Sequence, residues 1–182
     1  IRLTTHNAQA DGVNNKKLDM LPGDPVMFEA EVEGDFPENS YPADFVLSLK
    51  KDAQVMFIRN DSEGQYYNGK LGRVEDISAK GVVTVRDLEG NSIVVNPVEW
   101  PNIQYVLNDE SGEIEPNIIG KFRQIPLKVA WTITIHKSQG LTFDRVIIDA
   151  GAAFAFGQVY VALSRCRSLE GISLDSPIRM SS

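Results

Sequence analysis

The 182-residue sequence predicts an α/β domain that carries a β-rich insertion. Segments typical of strands and helices lie at both ends of the chain, over residues 1–32 and 129–174. Between them, short apolar segments recur at regular spacing and are separated by turn residues, which is typical of a small β-barrel. The sequence is 42% hydrophobic and 24% charged, an ordinary composition for a globular protein.

The first part of the chain predicts a strand, a helix and a second strand. Residues 1–5 alternate between apolar and polar side chains, as a half-buried strand does. Asn7 is a suitable cap for a helix over residues 8–21, which the Leu-Pro-Gly-Asp-Pro segment then ends. Residues 26–32 alternate again and predict one strand, and residues 34–44 predict a loop.

The middle of the chain predicts strands and turns only. Four short strands are expected, over residues 53–58, 71–77, 82–87 and 92–96. Glu89-Gly90 joins the last two as a hairpin turn. A further strand pair is expected over residues 102–107 and 113–127, around a turn at 108–112.

The last part returns to mixed strands and helices. Residues 129–136 are apolar and fit either the start of a helix or a strand, because their Thr and Ile side chains suit both. Residues 145–149 predict a strand of the kind buried in a parallel sheet. A helix over 158–164 and a strand over 171–174 complete the pattern.

The distribution of charge points to the last third of the chain. The whole sequence has a net charge of −7, which argues against general binding to nucleic acid. Residues 121–182, however, hold eight basic residues against four acidic ones, so any site for a polyanion is expected there. No apolar run reaches the length of a membrane span. The single cysteine, Cys166, fits a reducing compartment such as the cytoplasm, or the nucleus or mitochondrion of a eukaryote.

Two polar segments follow apolar ones and carry the candidate chemistry. Residues 136–140 read His-Lys-Ser-Gln-Gly, which places a charge, hydrogen-bond donors and a flexible backbone at one point. Such a group suits phosphate oxygens or a nucleic-acid backbone. Residues 157–167 form the second segment, in which a helix would project Arg165 from its end.

Together these segments resemble motifs V and VI of superfamily 1 helicases. Ile-His-Lys-Ser-Gln-Gly at 135–140, followed by Val-Ala-Leu-Ser-Arg at 161–165, is similar to the Pif/RecD-like branch in particular. The resemblance extends to residues 3–11, which are similar to motif IV of that family. It extends also to residues 49–61 and 67–72, which resemble the entry to its inserted SH3-like barrel.

The resemblance implies a fold and a set of roles. It implies a RecA-like domain 2A, formed by residues 1–48 and 128–182, with an SH3-like barrel, domain 2B, inserted over 49–127. Arg165 matches the arginine finger that stabilises charge on the transferred phosphate of ATP. Gln139 and Gly140 match positions near the nucleotide. The positions matched to single-stranded DNA are Thr5, His6, Asn7, His136, Lys137 and Ser138.

The sequence has no Gly-x-x-x-x-Gly-Lys-Ser/Thr loop, which a motor domain needs to hold nucleotide phosphates. The chain also begins at Ile1, inside a predicted strand. We therefore expect a C-terminal fragment that is inactive alone, with ATP and Mg²⁺ bound mainly by a missing N-terminal domain, 1A. The resemblance further implies 5′ to 3′ movement along single-stranded DNA and action at a DNA fork.

Two other functions remain open. In the first, the chain is a non-catalytic module whose barrel docks DNA or protein. In the second it belongs to an RNA helicase of a related branch, because the 2′-hydroxyl contacts that separate RNA from DNA are not visible in a sequence.

Overall fold

The computed structural model describes residues 1–107, 112–149 and 157–175. Within these ranges it contains two α-helices and fourteen strands. In chain order these elements are β1 (Arg2–Thr4), α1 (Asn7–Asp19), β2 (Val26–Glu29), β3 (Glu31–Gly34), β4 (Val46–Leu49), β5 (Gln54–Phe57), β6 (Leu71–Ile77), β7 (Val83–Asp87), β8 (Ser92–Val95), β9 (Val98–Leu107), β10 (Ile114–Gln124), β11 (Leu127–Val129), β12 (Thr132–Thr134), β13 (Val146–Ile148), α2 (Gln158–Leu163) and β14 (Ile172–Leu174).

Strands from both ends of the chain form one parallel sheet. Its order is β12-β1-β13-β14, and every neighbouring pair is parallel. Leu3, Ile133, Val146 and Ile148 are almost fully buried in the core beside it. Ile147 points to the other face and is 44% exposed. The expected strand over 145–149 is therefore present, but among the described residues only one of its faces is covered.

The helix α1 begins one residue earlier than predicted. His6 is its N-cap residue and makes no side-chain capping bond, so Asn7 is the first helical residue and not the cap. The helix packs against the parallel sheet through Ala10 and Asn14, both of which are buried. Its polar side chains face solvent on the opposite side.

The strand predicted over residues 26–32 is two strands. β2 pairs with β4, and β3 pairs with β10, so the chain changes partners at Ala30. The Ala30 amide donates to the carbonyl of Phe45 at 2.7 Å, outside either ladder. The apolar alternation nevertheless continues through the break, because Phe28 and Val32 are half-buried and Ala30 is buried.

The middle strands form an antiparallel sheet of order β11-β5-β6-β7-β8. Its inner face contributes Val55, Phe57, Val74 and Val85 to the larger hydrophobic core. Within the described residues, β8 and β11 are not hydrogen-bonded to each other, so this sheet stays open. The described residues therefore confirm the β-rich insertion and show no closed barrel in it.

The predicted strand pair after residue 102 is a long ribbon of β9 and β10, joined to β3. Its register places Ile103 opposite Ile118 and Leu107 opposite Ile114. These four side chains are between 40% and 70% exposed, so the outer half of the ribbon presents an apolar face. The turn expected at 108–112 lies outside the described residues except for Gly112.

Residues 129–136 contain a strand and no α-helix. β12 covers Thr132–Thr134, where β-branched side chains favour extended backbone, and a 3₁₀ turn follows at His136–Ser138. Neither of the two helices in the described ranges has the length and apolar character that crossing a membrane requires.

Candidate functional site

One candidate segment near the N-terminus and one from the last third of the chain meet at one edge of the parallel sheet. β1 and β12 are parallel neighbours, so the residues that follow them, 5–7 and 136–140, leave the sheet side by side. The Ile135 amide donates to the Thr4 carbonyl at 2.8 Å and extends the ladder to this edge. Ligands of open α/β sheets bind outside the carboxyl ends of the strands, which is where these segments lie.

The segment after β12 is a tight turn held by its own polar groups. The Ser138 hydroxyl donates to the Ile135 carbonyl at 2.7 Å, and the Leu141 amide donates to the Ser138 carbonyl at 3.0 Å. Gly140 has φ +79°, a left-handed conformation that favours glycine. Ser138 is fully buried, so its side chain offers no surface to DNA in this conformation and instead shapes the turn.

The exposed residues of that turn point to two grooves, one on each side of Gln139. The first groove, of about 260 Å³, is lined by His136, Gln139, Gln158 and Tyr160, among others. The second groove, of about 370 Å³, also includes Gln139 but extends past Lys137 toward the loop before β4. Gln139 therefore lies between a face shared with α2 and a face shared with the β-rich part.

Of the three candidate residues that follow β1, Asn7 shares a groove with the turn after β12. Asn7 and Lys137 line the same groove, of about 490 Å³. Thr5 and His6 do not line this groove; the Thr5 hydroxyl and His6 Nδ1 form a hydrogen bond of 2.7 Å. The structure therefore brings Asn7 and Lys137 together and leaves Thr5 and His6 at the rim of the sheet edge.

Arg165 follows α2 and is held against the backbone of both candidate segments. Its Nε donates to the Val161 carbonyl at 3.1 Å, and its Nη1 lies 3.4 Å from the Leu141 carbonyl. Its Nη2 donates to the Ser164 hydroxyl at 2.9 Å. The guanidinium is half-buried, so in this state its donors are directed at protein oxygens.

A short parallel bridge joins the two segments near Arg165. The Phe143 amide donates to the Arg165 carbonyl at 2.8 Å, and the Arg167 amide donates to the Phe143 carbonyl at 3.1 Å. Gly171 packs against this bridge so closely that a Cβ there would lie 2.1 Å from the Asp144 carbonyl oxygen. The backbone of Arg165 is thus fixed relative to the turn that contains Gln139 and Gly140.

Three residues of this region were not singled out from the sequence. Lys128 and Asp44 line both grooves beside Lys137, and their side chains form an ion pair of 3.3 Å. Tyr160 is 75% exposed in the groove with His136. Two of them carry a signal in the sequence. Tyr160 lies between two valines of a short helix, and Lys128 lies between two inward-facing residues of a strand.

Lys128, Asp11 and Asp44 all act on the charge of Lys137, the two carboxylates in the direction opposite to Lys128. Partial burial lowers the pKa of the Lys137 ammonium, and the neighbouring Lys128 lowers it further. Among the described residues no group of three or more His, Cys, Asp or Glu side chains is placed to hold a metal ion.

Comparison with known proteins finds relatives that are named ATP-dependent DNA helicases. No family model matches the chain. The ATP-dependent DNA helicase Pif1 of Psychrobacter sp. is 33% identical over 228 residues, covering 95% of this chain and 33% of the relative. The ATP-dependent DNA helicase PIF1 of Rattus norvegicus is 38% identical over 94% of this chain and 26% of the relative. The chain thus spans about a third or less of these two proteins.

Solved structures of Pif1 also match this chain. Unliganded Pif1 from Bacteroides sp. matches with a TM-score of 0.92 at 44% identity, covering all of this chain and 41% of that one. The same coverage and identity with a TM-score of 0.90 are found for Bacteroides sp. Pif1 in complex with ADP-AlF4. Bacteroides Pif1 bound to ssDNA matches with a TM-score of 0.77 at 45% identity, over 98% and 41% of the two chains. The chain therefore belongs to the Pif1-like helicases and matches a C-terminal segment of them.

Proposed function

We propose that this chain is the part of an ATP-dependent DNA helicase that supplies an arginine finger to ATP and forms part of the track for single-stranded DNA. The observation that carries the proposal is the joining of two segments by the Phe143–Cys166 bridge, with the Arg165 guanidinium against the turn of Gln139 and Gly140. Relatives named ATP-dependent DNA helicase, and Bacteroides Pif1 structures with ADP-AlF4 and with ssDNA, support it.

The proposed role of Arg165 is to stabilise negative charge as the terminal phosphate of ATP is transferred. Its guanidinium donates in this structure to the Val161 carbonyl and the Ser164 hydroxyl, with the Leu141 carbonyl 3.4 Å away. A phosphate oxygen is a stronger acceptor than a neutral carbonyl, so closure on a nucleotide would draw donors away from these partners. The nucleotide would be held by domain 1A, because this sequence has no P-loop.

The proposed DNA track runs along the carboxyl edge of the parallel sheet. Asn7 and Lys137 face one groove and supply a hydrogen-bonding amide and a positive charge. His136 lies next to them on the exposed side of the turn, and Thr5 and His6 lie at the rim. Ser138 acts in this proposal by holding the turn through its bond to Ile135, and not by touching DNA.

The proposed domain assignment follows the parallel sheet, although β3, from residues 1–48, pairs with β10 of the insertion. The parallel sheet of β1, β12, β13 and β14 fits a RecA-like domain 2A, from residues 1–48 and 128–182. The antiparallel strands of residues 49–127 fit an inserted domain 2B of SH3-like type, although their sheet is open in the described residues. Movement is proposed to be 5′ to 3′ along single-stranded DNA, with Mg²⁺ held outside the described residues of this chain.

The test joins this chain to its native upstream segment and measures ATP hydrolysis stimulated by single-stranded DNA. Arg165→Ala should lower the maximal rate by roughly 10³-fold while DNA binding is retained. Arg167→Ala is the matched control, because Arg167 is an exposed arginine two positions away that pairs with Asp144 at 3.2 Å. Arg167→Ala should change the rate by less than about 3-fold. An unchanged rate in Arg165→Ala would overturn the proposed role.

A second candidate function is a non-catalytic docking module. The exposed apolar face of the β9–β10 ribbon favours it, since monomeric proteins seldom leave such a face uncovered. In that case Arg165→Ala would leave DNA-stimulated ATP hydrolysis unchanged. Replacing Ile103 and Ile118 with Thr would instead abolish a partner interaction.

A further inference from the structure

Two grooves of the site meet at a cluster of three charged residues. Asp44, Lys128 and Lys137 line both the groove that contains Asn7 and the groove that contains Gln139. Lys128 belongs to β11, Lys137 to the turn after β12, and Asp44 to the loop before β4. Three separate segments therefore bring charge to the one point at which the two grooves join.

The cluster contains two ammonium groups and one carboxylate, and a further carboxylate, Asp11, lines the groove that contains Asn7. The Lys128 ammonium lies 3.3 Å from an Asp44 carboxylate oxygen. Within the described residues, this is the only ion pair among Asp44, Lys128 and Lys137. The side chain of Lys128 is 24% exposed, whereas that of Asp44 is 49% exposed. Lys128 opposes the positive charge of Lys137, whereas Asp11 and Asp44 favour it without forming an ion pair with it.

We propose that Lys128 and Lys137 together clasp one phosphate of the single-stranded nucleic acid, and that Asp44 takes the place of that phosphate when no strand is bound. The proposal rests on the DNA track proposed above and adds to it a residue, Lys128, and a competing carboxylate, Asp44. A phosphate presents two oxygens that can each accept from one ammonium. Asp44 reaches only Lys128 at ion-pair distance, so it balances half of the clasp.

The position of the clasp favours a polymer over a separate phosphate ion. One groove leads from the clasp to Asn7, and the other leads to Gln139, with volumes of about 490 Å³ and 370 Å³. A strand whose phosphate is held at the junction can continue in both directions, whereas a free anion would need only one opening. The surrounding side chains include the amides of Asn7, Asn15 and Asn68, which can donate to further backbone oxygens.

The proposal predicts effects of opposite sign for the two partners of the ion pair. Lys128→Gln removes a phosphate contact, so it should weaken binding and reduce the dependence of affinity on salt. Asp44→Asn removes the competitor, so it should strengthen binding. The gain from Asp44→Asn should disappear when Lys128 is already Gln, because Asp44 then has no clasp to occupy.

The experiment uses this chain joined to its native upstream segment. It measures the affinity of that protein for a fluorescent oligothymidylate by anisotropy, from about 50 to 200 mM salt. Lys128→Gln should weaken binding about 5-fold and lower the slope of log affinity against log salt by about 0.7. Asp44→Asn should strengthen binding about 3-fold at low salt, and by no measurable amount in the Lys128→Gln background. The matched controls come from the exposed pair of Glu31 and Arg123, 2.9 Å apart across β3 and β10. Glu31→Gln and Arg123→Gln make the same charge changes and should alter the slope little.

Several results would overturn the clasp. One is an Asp44→Asn effect of equal size in both backgrounds, or equal to that of Glu31→Gln, since this would reflect net charge alone. Another is a Lys128→Gln variant that raises the KM for ATP and leaves the salt slope unchanged, since the phosphate would then belong to a nucleotide. Lys137→Gln separates the two proposals. If it weakens binding and Lys128→Gln does not, only the clasp fails; if neither does, the DNA track fails as well.

Discussion

The side-chain amide of Asn14 makes two hydrogen bonds with the backbone of Thr132. Its Nδ2 donates to the Thr132 carbonyl at 2.8 Å, and its Oδ1 accepts from the Thr132 amide at 2.9 Å. β12 is an edge strand of the parallel sheet, so these two backbone groups have no neighbouring strand in the described residues. A helix side chain thus completes the edge of the sheet, four residues before the turn that carries the site.

Asn14→Ala should destabilise the fold strongly. Asn14 is 5% exposed, so its loss leaves a buried amide and a buried carbonyl without partners, at a cost of about 2–4 kcal/mol. Urea unfolding followed by circular dichroism measures this loss. Asn15→Ala is the control, because Asn15 is exposed on the same helix and should change stability by less than about 0.5 kcal/mol. Equal effects of the two variants would contradict the role given to Asn14.

Two glycine substitutions should have opposite signs. At Gly171 a Cβ would lie 2.1 Å from the Asp144 carbonyl oxygen and 2.7 Å from the Cys166 sulfur, so Gly171→Ala forces the bridge beside Arg165 to move. We expect a loss of about 1–3 kcal/mol. Gly12 lies inside α1 with nothing within 4 Å of the added carbon, so Gly12→Ala should stabilise the protein by about 0.5–1 kcal/mol. Thermal unfolding of both variants tests the pair, and a neutral Gly171→Ala would show that the bridge is easily displaced.

The sequence predicted those elements whose signal is local. The strands β1, β13 and β14 and the helices α1 and α2 follow from periodicity and turn residues within a few positions of each end, whereas β12 lies in a segment that fitted a helix as well. The change of partners at Ala30 could not be predicted in this way, because it depends on the Phe45 carbonyl, fifteen residues further on. Whether the predicted barrel closes could not be told from the sequence for the same reason: alternation predicts strands but not which edges pair.

The sequence likewise predicted only part of the candidate site. Residue type and order indicated where polar groups would gather, and Asn7, Lys137 and Gln139 do line shared grooves. The same reasoning could not tell that the Ser138 hydroxyl turns inward to Ile135, since serine serves ligands and backbone equally well. Nor could it find the pairing of Lys128 with Asp44, which are 84 positions apart in the chain.

The titration of Lys137 offers a test of its surroundings. Its pKa should lie below that of an ordinary lysine, because burial and the charge of Lys128 both disfavour the protonated form. After reductive ¹³C-methylation, its NMR signal should titrate below the ordinary lysine pKa of about 10.4. Lys128→Gln should move the Lys137 titration part of the way back up, since burial is the larger cause. A Lys137 signal that titrates at the ordinary lysine value would show that the ammonium is solvated.

Stability in acid should depend on a buried ion pair far from the site. The Asp87 carboxylate lies 2.8 Å from the Lys70 ammonium and also accepts from the Asn91 amide groups, with no exposed side-chain surface. Its hydrogen bonds, above all that from Lys70, hold its pKa far below the ordinary value.

The sign of the pH dependence follows from that lowered pKa. The unfolded chain takes up a proton at Asp87 near its ordinary pKa of about 3.9, while the folded protein resists it. The contribution of Asp87 is therefore fully present above about pH 4 to 5 and is lost as the pH falls toward the folded pKa. Urea unfolding of the wild type should give a free energy that declines through this range.

The Asp87→Asn variant should be less stable at pH 7 by about 3 kcal/mol, because Lys70 is left with a half-buried charge and no carboxylate. Its stability should also fall less steeply below pH 4 than that of the wild type, since one titrating group has been removed. Glu99→Gln is the control, because Glu99 pairs with Lys121 at 3.0 Å and both side chains are exposed. A wild type and an Asp87→Asn variant whose stabilities stay parallel from pH 7 to pH 3 would exclude Asp87 as the source of acid sensitivity.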